Sequence, residues 1–180
     1  MGLAASVVGV FVVSGGSQTV EWAWMLNQEP MPAVGAKEPG GPVRILVFGD
    51  SLAFNIGSGI AKWASGTKGR VVVWNAAQYG CGIVQQPGVD VGLPENERSA
   101  CRNWPDFWQQ KVDAFEPDLV VIISGVWDLR PRPVGAPDAL WPGDPAFDRE
   151  LLTVYRRAVD IAASRGARVV WVNAPCVGPE

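Results

Sequence analysis

From Val43 onward, short runs of β-branched and other apolar residues alternate with stretches whose apolar positions recur at helical spacing. The uninterrupted apolar runs predict strands over 43–48, 70–75, 119–124 and 168–173, because strands buried on both faces show no polar alternation. The stretches between them predict helices near 52–65, 105–116 and 146–165. The last is the best marked. Asp144 can cap it, Pro145 suits its first position, and Phe147, Leu151, Val154, Tyr155, Ala158 and Ala162 form one stripe. Gly166 stands where a helix-ending glycine belongs. Strands alternating with helices predict an α/β fold with a parallel sheet covered on both faces.

Ahead of this pattern the chain is organised differently. Gly2–Val20 carries no charge, and Leu3–Val13 is almost continuously apolar until Ser14-Gly15-Gly16-Ser17 interrupts it. That is shorter than the roughly 20 residues of a full membrane span. Three origins fit it: the tail of a transmembrane helix with Trp22 and Trp24 at the interface, a signal-like segment without a basic start, or a buried helix. Next comes a Pro/Gly-rich spacer, NQEPMPAVGAKEPGGP. The expected plan is an apolar segment over 1–25, a linker over 26–42 and one domain over 43–180.

Composition narrows the chemistry. The 180 residues are 48% hydrophobic, enough for a core. A net charge of −3 without any Lys/Arg run argues against a nucleic-acid partner. There is no phosphate-binding or dinucleotide loop, so no cofactor is implied, and no G-x-S-x-G elbow. The absence of histidine and of C-x-x-C spacing disfavours a metal site. A bridge between Cys81 and Cys101 would close a loop of about 20 residues, worth about 3 kcal/mol, and would require an oxidising compartment. The alternative is three free thiols, Cys176 included. Of the nine tryptophans, Trp63, Trp74 and Trp171 fall on core patterns. Trp104, Trp108, Trp127 and Trp141 are candidates for a sugar-binding surface, although burial is the simpler explanation for most.

Gly49-Asp50-Ser51-Leu52 stands where the first strand passes into the first helix. A serine there lies at the C-terminal edge of the sheet, where open α/β folds bind ligands, beside helix N–H groups that favour negative charge. That suits a nucleophile; the same tripeptide also suits a simple helix cap. Two further blocks follow in order: Asn75 with Gly80 after the second strand, and Gly125-Val126-Trp127-Asp128 after the third. On these three blocks, roughly residues 43–180 resemble the SGNH, or GDSL, family of serine esterases and acyltransferases. Trp127 stands where that family has asparagine, and the family's closing Asp-x-x-His block is missing from a chain without histidine.

The resemblance implies a flavodoxin-like three-layer fold, here ending after the fourth of five strands. It implies Ser51 as nucleophile forming an acyl-enzyme, with the N–H groups of Ser51 and Gly80 as oxyanion donors and Asp50 and Asp128 binding loop backbone. The Gly80-Cys81-Gly82 triplet and Cys101-x-x-Trp104 resemble bacterial cell-envelope members, whose third block often carries tryptophan. By that likeness Gly125, Trp127 and Asp128 form the third-block position, and the substrate is an acyl ester, such as an O-acyl group of an envelope glycan. The site would lie outside the cytoplasmic membrane, with attachment through the N-terminus. Without its histidine base the 180-residue chain is expected to be nearly inactive. A rival expectation is a non-catalytic flavodoxin-like binding module.

Overall fold

In a computed structural model, residues 29–84, 101–135 and 138–173 are described. The apolar segment 1–25, residues 26–28 of the linker and Cys176 lie outside them. The chain runs β1 (Val43–Gly49), α1 (Ser51–Ser65), β2 (Val71–Asn75), α2 (Trp104–Phe115), β3 (Leu119–Ile123), β4 (Arg132–Pro133), β5 (Ala139–Leu140), α3 (Pro145–Ala163) and β6 (Arg168–Val172). β2, β1, β3 and β6 form one parallel sheet in that order, and β4 and β5 make a separate two-residue ladder. The three long helices and four long strands lie within two residues of their predicted positions. The short β4–β5 pair has no counterpart in the sequence pattern.

The layers follow from handedness. The chain steps from β1 to β2 in one direction, then back past β1 to β3 and on to β6. Right-handed crossovers therefore put α1 on one face and α2 and α3 on the other, giving the three layers of an α/β fold. Alternate strand residues feed two cores. Leu46, Phe48, Trp74, Val120 and Ile122 pack under α2 and α3. Ile45, Val47, Val121 and Ile123 pack on the α1 side with Ala53.

The tryptophans divide differently from their sequence patterns. Trp104 and Trp108 are buried, and Trp108 stacks flat on Phe48 at 4.2 Å. They are core residues, not a sugar-binding surface, because α2 turns its Trp104, Trp108, Val112 and Phe115 side to the sheet. Trp63 is 61% exposed, not core. The reason is that α1 buries its small residues Ala53, Gly57 and Ala64, which bring the helix close to the sheet and leave Trp63 outside. Trp74 is buried, Trp171 is partly buried against the core and Trp141 is exposed.

The described part of the Pro/Gly-rich segment has no helix or strand, yet it is fastened to the domain. Trp74 Nε1 donates to the Glu29 carbonyl at 2.9 Å, and the buried Arg44 donates to Gly35 O at 2.8 Å and to Phe115 O at 2.9 Å. Lys37 pairs with Asp118 at 2.8 Å.

α1 is set against β2 by the buried Asn75. Its amide nitrogen donates to Phe54 O at 2.9 Å and lies 3.2 Å from Ser58 Oγ. A Cβ on Gly57 would meet the Asn75 carboxamide at 2.7 Å. Gly57→Ala should therefore destabilise the domain by about 1–3 kcal/mol through overpacking, read as a lower urea midpoint. An unchanged midpoint would show that α1 is not held by this contact.

Candidate functional site

β1 ends on Gly49, whose φ of 138° excludes most side chains; a Cβ there would run into the Ile123 carbonyl and lie 2.6 Å from Ala53 Cβ. This tight exit delivers Asp50 to the N-cap of α1. The Asp50 carboxylate accepts the Leu52 N–H at 2.9 Å and also binds the amides of Ala53 and Gly125. The Asp50 carbonyl accepts the Phe54 N–H. Of the first-turn donors, the Ser51 N–H is the one this cap leaves unused. Burial pushes the Asp50 carboxyl above its ordinary value against those amides, which act to lower it. The two effects oppose each other because the anion is desolvated and hydrogen-bonded at once. Gly125 cannot be replaced here, since its Cβ would strike Asp50 Oδ2.

β2 carries Gly80 to the same edge. Beyond Asn75 the pairing continues, with Ala76 N–H donating to Val47 O at 2.9 Å and Gln78 N–H to Gly49 O at 2.8 Å. Ser51 and Gly80 each follow that last hydrogen-bonded pair by two residues. Alongside, the Phe54 and Tyr79 rings meet at 4.9 Å. Gly80 turns the chain at φ 68°. Cys81 is bonded to Cys101 with Cα atoms 5.3 Å apart, fastening the turn to the segment that leads into α2.

The third loop closes the site. Asp128 is buried, and its Oδ1 accepts the Val84 N–H at 2.9 Å with Ile83 N–H as a further donor. Its Oδ2 lies 3.3 Å from the Tyr155 hydroxyl. Gly82 passes so close that a Cβ would sit 2.6 Å from Asp128 Oδ1 and 3.0 Å from Trp127 Cβ. Trp127 is partly buried, with its ring 4.2 Å from the Arg130 guanidinium. Arg132, also buried, donates from Nη1 to the Asp128 carbonyl at 3.0 Å and from Nε to Glu150 at 3.2 Å.

The structure thus gathers Ser51, Gly80, Gly125, Trp127 and Asp128 at the C-terminal edge beside the β1–β3 junction, where the chain's direction across the sheet reverses. Sequence inspection missed Gly82, Tyr155 and Arg132. Only the glycine triplet around Cys81 hinted at the first of them. Among the described residues, no group of three or more His, Cys, Asp or Glu side chains is arranged to hold a metal ion, and no helix is long and apolar enough to cross a membrane.

Desolvation raises the Asp128 pKa from 3.8 to about 6, overcoming the Val84, Tyr155 and Ile83 hydrogen bonds, and the Asp50 charge adds to the rise. A carboxyl whose pKa is higher folded than unfolded stabilises the fold below the unfolded value and loses that contribution as pH rises through the folded one. Wild-type stability relative to Asp128→Asn should therefore fall by up to ~3 kcal/mol between about pH 4 and pH 6. Urea midpoints of both proteins across that range test this; a difference that grows with pH would contradict it.

Residues 44–180 match the model of a family described as "Protein of unknown function (DUF459)". No curated protein matches the chain. Because the match takes in well over half of the chain and all three loops of the site, the protein belongs to this DUF459 family.

Proposed function

We propose that the domain is an SGNH-type serine esterase or O-acyltransferase that works through a Ser51 acyl-enzyme. The observation that carries this reading is the cap on α1. Asp50 takes up the amides of Leu52, Ala53 and Gly125 but not that of Ser51, and Ser51 and Gly80 each follow the last hydrogen-bonded pair between their two segments by two residues.

In the proposed reaction Ser51 Oγ attacks the acyl carbonyl while a base takes its proton. The oxyanion that forms accepts hydrogen bonds from the N–H groups of Ser51 and Gly80, donors whose individual loss costs roughly 10²–10³ in rate in related sites. Collapse breaks the ester bond, and the leaving alcohol takes the proton back. Water or a sugar hydroxyl then attacks the acyl-enzyme and regenerates Ser51. The 180 residues contain no histidine, so the proposal assigns the base to a histidine contributed from outside them. O-acyl groups of cell-envelope glycans are the proposed substrates, in an extracytoplasmic setting. The Cys81–Cys101 bridge is in keeping with that setting, since disulfides persist in oxidising compartments.

The lack of histidine also favours a second reading, a binding module that uses the same edge without chemistry. One experiment separates the two. Supplied with a histidine base from outside these residues, the domain should hydrolyse 4-nitrophenyl acetate, and Ser51→Ala should remove at least ~10³ of that rate, since a weak nucleophile needs its base and its oxyanion site together. The 180-residue chain alone should show no more than a faint residue of it. Retention of the rate in Ser51→Ala would reject the esterase. Vigorous Ser51-dependent hydrolysis by the 180 residues would reject the assignment of the base.

A further inference from the structure

We propose that Tyr155, in the middle of α3, is a positioning residue for the Ser51 reaction: its hydroxyl holds the Asp128 carboxylate, and that carboxylate holds the Gly80–Val84 loop. The inference rests on the esterase reading for its kinetic consequence, but the clasp itself does not.

The chain of contacts is continuous. The Ser124 hydroxyl, just past β3, reaches the Tyr155 oxygen. Tyr155 Oη lies 3.3 Å from Asp128 Oδ2, and Oδ1 accepts the Val84 N–H at 2.9 Å. The tyrosine ring is wedged in turn against Trp171 of β6 at 4.3 Å. A partly buried tyrosine packed against the core therefore fixes a buried carboxylate, and the carboxylate binds the loop that begins at Gly80. The loop is held at its other side by Gln78 N–H on Gly49 O and by the Cys81–Cys101 bond. Weakening the Asp128 anchor leaves the Gln78 and Cys81 fastenings in place and loosens the loop from its Val84 end back toward Gly80.

Charge sets the pH range in which the tyrosine hydroxyl matters most. Asp128 faces Asp50 from the β1–α1 turn, Tyr155 from α3, and Arg132 from β4, whose guanidinium is paired with Glu150 of α3. When Asp128 is protonated its O–H can bond Tyr155 as a neutral pair. When it is ionised the buried anion relies on the tyrosine O–H, and hydrogen bonds to ions are roughly twice as strong as neutral ones. Loss of the hydroxyl must therefore hurt more above the titration of Asp128 than below it.

The test is Tyr155→Phe in the full-length protein, with amide hydrogen exchange of Ile83 and Val84 measured at pH 5 and pH 8. Protection should drop ~5-fold or more at pH 8 and less than ~2-fold at pH 5, as the loss of a charge-assisted bond dictates. The Ser51-dependent kcat at pH 8 should fall by about the same factor with KM unchanged, the mark of an interaction used in the transition state. An equal drop in protection at both pH values, or none, overturns the inference whatever the activity. Loosened amides with an unchanged kcat also overturn Tyr155 as a positioning residue. Activity that survives Ser51→Ala rejects the esterase reading instead, and the exchange result then judges the clasp alone.

Discussion

The site depends on one buried carboxylate that is more useful as an acceptor than as a charge. Asp50 takes amides from both the start of α1 and the loop after β3, so a single side chain sets the distance between the first and third loops. A buried anion is costly unless its lone pairs are filled, and here backbone N–H groups fill them. Those amides are thereby withdrawn from any ligand. Of the first-turn amides, only that of Ser51 is left out of this cap.

The glycines at this edge serve the same close approach. Gly49 lets β1 leave the sheet beside the Ile123 carbonyl, Gly125 admits the Asp50 carboxylate, and Gly82 admits that of Asp128. Each would be blocked by a single added carbon. Three loops from three strands can then meet around two buried carboxylates, with the Cys81–Cys101 bond holding the middle loop from outside. The repulsion between Asp50 and Asp128 is part of the cost of this design.

The two central strands, β1 and β3, were legible in the sequence because both of their faces are covered, so that Leu46–Phe48 and Val120–Ile123 read as unbroken apolar runs. The Ser51 turn was legible because a strand, a glycine and a capping acid stand together in eleven residues. Other features had no local signature. Which side of α1 faces inward was decided by Ala53, Gly57 and Ala64, whose small size brings the helix close, and not by the bulk of Trp63. The two-residue strands β4 and β5 are too short to show a period, and Pro133 argues against one. The Tyr155–Asp128 contact joins residues 27 apart, and in the sequence Tyr155 is one more member of an apolar stripe.

The proposed reaction requires that Ser51 become acylated. The most direct measurement is mass spectrometry of the full-length protein, acid-quenched within the first turnover of an acetyl ester and digested to peptides. One acetyl group should appear on the peptide carrying Ser51, with fragment ions locating it on that serine and none on the corresponding peptide of Ser51→Ala. Turnover of the ester with no acetylated Ser51 at any quench time, or acetylation that persists elsewhere when Ser51 is removed, would contradict it.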